Sequence, residues 1–274
     1  MLNRLLKLIF KLPLPILHGI GVVIGWLVYF IDAKFSQRIR ANLLTANIAT
    51  NTQHYKKLVH QTAQEIGKGL VEGLAIWLNP QNKTIKWVKG CTGWEYVQQA
   101  IIAKKGIIFL TPHLGCFEIT AQFLGAQMPL TVLFRPPRTR WLQPIMMSGR
   151  GQGQITLAET NMRGVRSLMK TLRNGDAVGV LPDQVPALGE GEWADFFGNP
   201  AYTMTLASKL AQTTGASVIL IFGERLSYGR GYHLHFKSID ADSSPQAINH
   251  GIEELVKLRP AQYLWSYQRY KTPK

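Results

Sequence analysis

The chain has 274 residues, 46% of them apolar, with a formal charge of +15 and only two cysteines, Cys91 and Cys116. This composition excludes a disordered chain and a disulfide framework, and the length allows one large domain with appendages. The excess charge selects polyanionic partners: nucleic acid, anionic lipid or an acidic protein. The bases are dispersed, Trp and Tyr accompany them at both ends, and no zinc-finger spacing or nucleic-acid motif occurs, so a membrane surface fits better than a duplex groove.

At the N-terminus, Arg4, Lys7 and Lys11 precede an uncharged stretch from Leu12 to Ile31. At about 1.5 Å per residue it just crosses a hydrocarbon core of about 30 Å. Pro13, Pro15 and His18 interrupt it, so half-insertion with residues 1–12 lying amphipathically on the headgroups is the other geometry. No small-x-small cleavage site follows, which argues for an uncleaved membrane anchor over residues 1–31. Lys34, Arg38 and Arg40 balance the bases on the other flank and leave its orientation unread.

Residues 32–83 read as a helical region, because apolar residues recur at three and four from Ser36 to Leu78 before Asn79-Pro80 closes it. Residues 84–274 form the third region. Strand patterns at 106–111, 129–134, 154–158, 176–181, 216–222 and 232–238 alternate with helical stretches near 93–104, 116–126, 139–148, 163–173 and 203–214. That alternation predicts an α/β fold, a mixed sheet flanked by helices, followed by a surface helix over 245–258 and a helical tail. Tyr263, Trp265, Tyr267 and Tyr270, with Arg269, Lys271 and Lys274, suit an interfacial tail.

The stretch with most chemical content is Gly106–Glu118, GIIFLTPHLGCFE. Pro112 ends the apolar strand, and His113 is expected to emerge exposed at its end. Glu118 falls in the first turn of the next helix. On one continuous helix, positions i and i+5 diverge by about 140°, so the two meet only if the chain turns, which Gly115 permits. The pair suits proton abstraction from an alcohol, with His113 as general base and Glu118 bonding its other ring nitrogen. Cys116 reads as a small buried thiol.

Arg135 and Arg138 lie in a proline-stiffened basic loop able to hold phosphate or phosphopantetheine oxygens or to support an oxyanion. Asp183-Gln184 follows VGVLP. His113, Arg135 and Asp183 each follow a strand directly, as a shared cleft requires. His233 and His235 alternate on one strand, which raises a metal-site alternative, but two ligands do not make a site.

Several segments resemble the bacterial lipid A late acyltransferases, within the lysophospholipid acyltransferase-like group. TPHLGCFE resembles their His-x4-Glu/Asp box, LFRPPRTRWL their second box, LPDQVP their Pro-Asp-Gln segment and EWADFFGNPAYTMTLASKLAQTTGASVI their Phe-Phe-Gly, Pro-Ala and Thr segment. RPAQYLWSYQRYKTP resembles their Pro-Glu-Gln-Tyr-x-Trp ending, with Ala261 where a glutamate is common and Tyr267-Gln268 where histidine and a base often stand. Arg40 and Asn42 resemble an arginine-asparagine segment of the family.

The resemblance implies a membrane-bound O-acyltransferase without metal or cofactor. It implies a bacterial inner-membrane location with the catalytic domain facing the cytoplasm. An acyl carrier protein would be the donor and a hydroxyl of a Kdo-lipid IVA type precursor the acceptor. It makes His113 and Glu118 catalytic, and Arg135, Arg138, Asp183 and Gln184 substrate-binding. A blind apolar tunnel near the box, walled in part by Phe117, Phe123, Leu124 and Met128, is expected to select chain length. Two alternatives stay open: an acyl-CoA-dependent acyltransferase of a lysophospholipid or other glycolipid, and a basic lipid-binding protein without chemistry.

Overall fold

A computed structural model describes residues 9–137, 139–239 and 242–274. Residues 1–8, with Arg4 and Lys7, and Arg138 of the basic loop lie outside the described residues.

The first helix, α1 (Leu14–Ile31), is the one helix among the described residues long and apolar enough to cross a membrane. Its residues sort by helical period. Leu14, Leu17, His18, Gly21 and Gly25 face inward, and Ile16, Val23, Leu27, Phe30 and Ile31 are exposed on the other side. After α2 (Ala33–Ala46), the long α3 (Thr52–Leu78) runs against the inward face.

Close approach of α1 and α3 depends on glycine. A Cβ at Gly67 would lie 2.1 Å from the Gly21 carbonyl oxygen, and one at Gly25 would lie 2.2 Å from that of Ala63. Forcing bulk into such a contact costs about 1–3 kcal/mol. Gly67→Leu is therefore expected to lower the thermal midpoint and to expose α1 to limited proteolysis, whereas Leu70→Ala, at an exposed position of the same helix, is expected to do neither.

A single helical turn (Gln81–Thr84) leads into the α/β body. Its elements are β1 (Val88–Thr92), α4 (Trp94–Ala103), β2 (Ile107–Leu110), α5 (Phe117–Gln127), β3 (Leu130–Phe134), α6 (Leu142–Arg150), β4 (Ile155–Glu159), α7 (Met162–Arg173) and β5 (Ala177–Val180). They continue with β6 (Gly191–Phe196), β7 (Asn199–Met204), α8 (Leu206–Thr214), β8 (Ser217–Arg225), β9 (Tyr232–Ser238) and α9 (Pro245–Leu258). The expected fold class holds: a seven-stranded mixed sheet, order β1-β9-β8-β2-β5-β3-β4, parallel except for the β8–β9 pair.

The central strands β2 and β5 are buried throughout, as expected of parallel strands covered on both faces. Ile107, Phe109 and Leu130 pack beneath α5, and Ile108, Leu110 and Val180 pack on the opposite face with Leu168 and Leu172 of α7. β6 and β7 form a separate hairpin whose two turn residues, Phe197 and Gly198, both take positive φ, the conformation that matches strand twist in tight hairpins.

The C-terminal segment corrects an expectation. Tyr263, Trp265 and Arg269 are buried rather than interfacial, because the tail turns back under the sheet's C-terminal edge. Asn42 donates to the Trp265 and Tyr267 carbonyl oxygens, both at 2.6 Å. Arg269 donates to the Tyr202 carbonyl, the Thr203 hydroxyl and Asn249 Oδ1. These three bonds from the two Nη atoms of a buried guanidinium fix the tail in place.

Candidate active site

β2 and β5 pair in parallel with Leu110 opposite Val180. In-register parallel strands carry equally spaced residues to the same level, so His113 and Asp183, each three positions beyond its strand, meet. Asp183 Oδ2 accepts from the His113 backbone N–H at 2.9 Å, and His113 Nδ1 lies 2.8 Å from Asp183 Oδ1.

Burial alone would push the Asp183 carboxyl up, but His113, its ring and its N–H, and the nearby Arg269 hold it below the ordinary carboxylate range. An ionised carboxylate only accepts, so Nδ1 is the donor and a neutral His113 carries its lone pair on Nε2. The amide nitrogen of the exposed Gln184 lies 3.2 Å from that Nε2. Behind Asp183, burial and the neighbouring carboxylate push the Tyr263 hydroxyl pKa well above its ordinary value.

The His113 loop is held along its length. The Leu264 N–H donates to the His113 carbonyl at 3.0 Å, Gly115 N–H to Gln262 O at 2.9 Å and Cys116 N–H to Gly223 O at 2.8 Å. Gly115 has φ +60°, and a Cβ there would lie 2.1 Å from Gly223 O, so only glycine fits the turn into α5. Arg225 donates to the Gly115 carbonyl at 2.7 Å and to Glu72 at 2.6 Å, and Glu72 meets His18 Nε2 of α1 at 2.6 Å. Burial opposes the Glu72 charge, yet Arg225 and His18 bring its pKa below the ordinary value. The Cys116 thiol is pushed up by burial and stays a packing group.

Two expectations need correction. Glu118 does not orient His113. Its carboxylate accepts from Arg150 Nε at 3.1 and 3.0 Å, from Arg150 Nη2 and from Trp77 Nε1 at 2.9 Å, and Arg150 stacks 5.4 Å from the Trp77 ring centroid. The helix α5 begins only at Phe117, so the five-residue step points Glu118 sideways toward α3 and α6 while Asp183 takes the imidazole. His113 is also largely enclosed, with 13% of its side chain exposed, rather than standing free at the strand end.

His113, Glu118, Arg135 and Gln184 all line one cavity of about 1220 Å³, with Arg135 exposed at its rim. Its apolar part lies between α5 and the sheet, bounded by Phe109, Leu124, Leu130, Val132, Ile155 and Leu157. Gly179 helps to open that space: a Cβ there would lie 3.4 Å from Val132. Of the expected wall residues, Phe117 and Leu124 face the cavity. Phe123 packs instead on Trp94, and Met128 joins the apolar cluster under α5.

His233 hydrogen-bonds Thr92 and His235 bonds Glu224. No group of three or more His, Cys, Asp or Glu side chains able to hold a metal occurs among the described residues.

A histidine tied to a buried aspartate beside a largely apolar cavity can take a proton from a nucleophile bound there. The family model described as bacterial lipid A biosynthesis acyltransferase matches residues 1–272. This chain belongs to that family. It is 24% identical to the lipid A biosynthesis lauroyltransferase of Escherichia coli (strain K12), over 97% of this chain and 89% of that protein. It is also 24% identical to the lipid A biosynthesis palmitoleoyltransferase of the same organism, over 96% and 87%. A lipid A biosynthesis acyltransferase of Haemophilus influenzae is 28% identical over 66% of this chain and 59% of its own length.

The chain therefore carries its box histidine where no reading of the box alone would complete the site. Asp183, Tyr263 and the Trp77–Arg150 pair come from distant segments. Tyr267, at a departure from the family ending, accepts a hydrogen bond from the Val185 N–H at 2.9 Å and so steadies the Asp183-Gln184 loop.

Proposed function

We propose that the protein transfers a fatty acyl group from an acyl-[acyl carrier protein] thioester to a hydroxyl of a lipid A precursor, with His113 as general base. The observation that carries this reading is the His113 ring, its Nδ1 engaged by Asp183 and its Nε2 on the wall of an apolar cavity. The acceptor hydroxyl displaces the Gln184 amide and gives its proton to Nε2 as its oxygen attacks the thioester carbonyl. The tetrahedral intermediate then collapses, the carbon–sulfur bond breaks, and the thiolate takes the proton from the imidazolium.

The oxyanion is placed at the first turn of α5, whose N-terminus favours negative charge and carries no side-chain capping bond from Cys116. Arg135 at the rim suits the acceptor's phosphate. Glu118 holds Arg150 in the cavity wall and also accepts from the Trp77 ring N–H. The outward apolar stripe of α1 anchors the enzyme at the inner membrane with the α/β body on the cytoplasmic side.

Purified, detergent-solubilised protein, given each acyl donor with each acceptor and read by mass spectrometry, is expected to add one acyl group to the lipid A precursor from the carrier-bound donor. Transfer from acyl-CoA alone would remove the carrier protein as donor; transfer to a lysophospholipid alone would remove the acceptor.

The same panel measures chain length. Each buried methylene contributes about 0.8 kcal/mol, or about fourfold in relative specificity, until the cavity ends. Gly179→Leu fills the apolar end and is expected to shift the preferred donor to a shorter chain with the acceptor unchanged. An even loss across all chain lengths would make Gly179 a packing position and not part of a ruler.

A further inference from the structure

Helix α7 bears a feature that neither the core nor the cavity uses. Arg163, Arg166, Lys170 and Arg173 fall at i, i+3, i+7 and i+10, within a sector of about 80°, and span about 15 Å. All four are exposed, and the helix has no acidic residue of its own. None of the four makes an ion pair with a carboxylate among the described residues. The nearby acid Glu159 takes a hydrogen bond from Asn161 instead. Four unneutralised bases in one row raise the protein's self-repulsion, which a complementary partner relieves.

The helix is fixed and aimed. Its buried Leu168 and Leu172 join the core, and a Cβ at Gly164 would lie 1.8 Å from the Glu159 carbonyl oxygen, so α7 sits tightly on β4. Its first turn, through Met162 and Val165, lines the catalytic cavity, and Lys209 of α8 lines it as well. Toward the other end, Arg166, Lys170 and Arg173 edge a shallow groove with Met169. The row thus starts at the cavity rim and leads away from it. The exposed apolar stripe that suits a bilayer, with Leu27, Phe30 and Ile31, lies on α1, whereas the exposed apolar side chain beside this row is Met162, at its start.

We infer that α7 is the docking surface for the acyl donor's carrier, an acidic protein that lays a row of carboxylates along the four bases and feeds its thioester arm past Met162 to His113. This rests on the acyl-carrier reading above and specifies where the carrier sits. Charge complementarity of this kind acts on encounter and orientation, and salt weakens it.

The test uses the full chain with Arg166→Glu and Lys170→Glu together, neither of which touches the catalytic cavity. With the carrier-bound donor at low salt, kcat/KM is expected to fall at least about tenfold through KM, while turnover of the matching acyl-pantetheine thioester stays within about twofold of the unmodified protein. Binding of the acyl carrier protein, followed by fluorescence anisotropy, should weaken in parallel. Equal kinetics with both donors, or unchanged carrier binding, would overturn the inference. So would a loss of binding to anionic vesicles with carrier kinetics intact, which would make α7 a membrane face. Failure of the acyl-transfer reading looks different: the unmodified protein would turn over neither donor, and the anisotropy measurement would still decide whether α7 holds the carrier.

Discussion

His113→Ala is expected to lower acyl transfer by about 10²–10⁴-fold while the protein stays folded, the range contributed by a positioned general base. The side chain is part of the loop between β2 and α5, but the backbone bonds that hold that loop, from Leu264, Gly115 and Cys116, do not use the imidazole. The loop should therefore stay formed, with some stability lost because the buried Asp183 carboxylate loses its ring partner, and the catalytic cost should be large. KM for the donor should change little if, as proposed, the acyl chain occupies the apolar part of the cavity lined by Phe109, Val132 and Leu124. Circular dichroism and thermal unfolding check the fold, and steady-state transfer checks the rate. Turnover near that of the unmodified protein would remove His113 as the base.

The second large effect is expected at Asp183. Asp183→Asn keeps the size but loses the charge, so the residue no longer stabilises the imidazolium, and an amide nitrogen facing Nδ1 would favour the tautomer with its proton on Nε2, which cannot accept the hydroxyl proton. The loss should approach that of His113→Ala in kcat. The same group links stability to acid. Its folded pKa is held below the ordinary carboxylate value, so its contribution is fully present above about pH 4 and is lost as pH falls through the lower folded value. An acid-unfolding titration should show Asp183→Asn less stable than the unmodified protein at neutral pH, with the difference shrinking toward acid. Glu118→Gln should behave otherwise: it leaves the half-buried guanidinium of Arg150 without its counter-charge and so costs stability first.

Much of the body could be read from the chain because its strands are apolar runs ended by proline or glycine, and its helices keep a three-and-four spacing. β1 was missed because VKGCT has a central glycine and no buried face. β6 and β7 were missed because Glu192, Asp195 and Pro200 break the strand pattern that their hairpin tolerates at the surface. The site was half legible. His113 announces itself by following Pro112, but its partner depends on which strand lies beside β2, and no local spacing encodes that β5, 70 residues away, is the neighbour. Glu118 is near in sequence and far in direction. The tail misled for a similar reason: tyrosines, a tryptophan and bases are equally the composition of a membrane interface and of a segment whose one arginine finds Tyr202, Thr203 and Asn249 indoors.

The central claim, that His113 and Asp183 work as one unit and Glu118 stands outside it, is tested most directly by a double-mutant cycle on single-turnover acyl transfer. Groups that act as a unit are strongly non-additive. His113→Ala with Asp183→Ala should be no slower than His113→Ala alone, whereas Glu118→Ala should multiply its own loss onto either. If instead the Asp183 loss multiplies with that of His113 and the Glu118 loss vanishes in the His113→Ala background, Glu118 is the partner of the base and this account of the site is wrong.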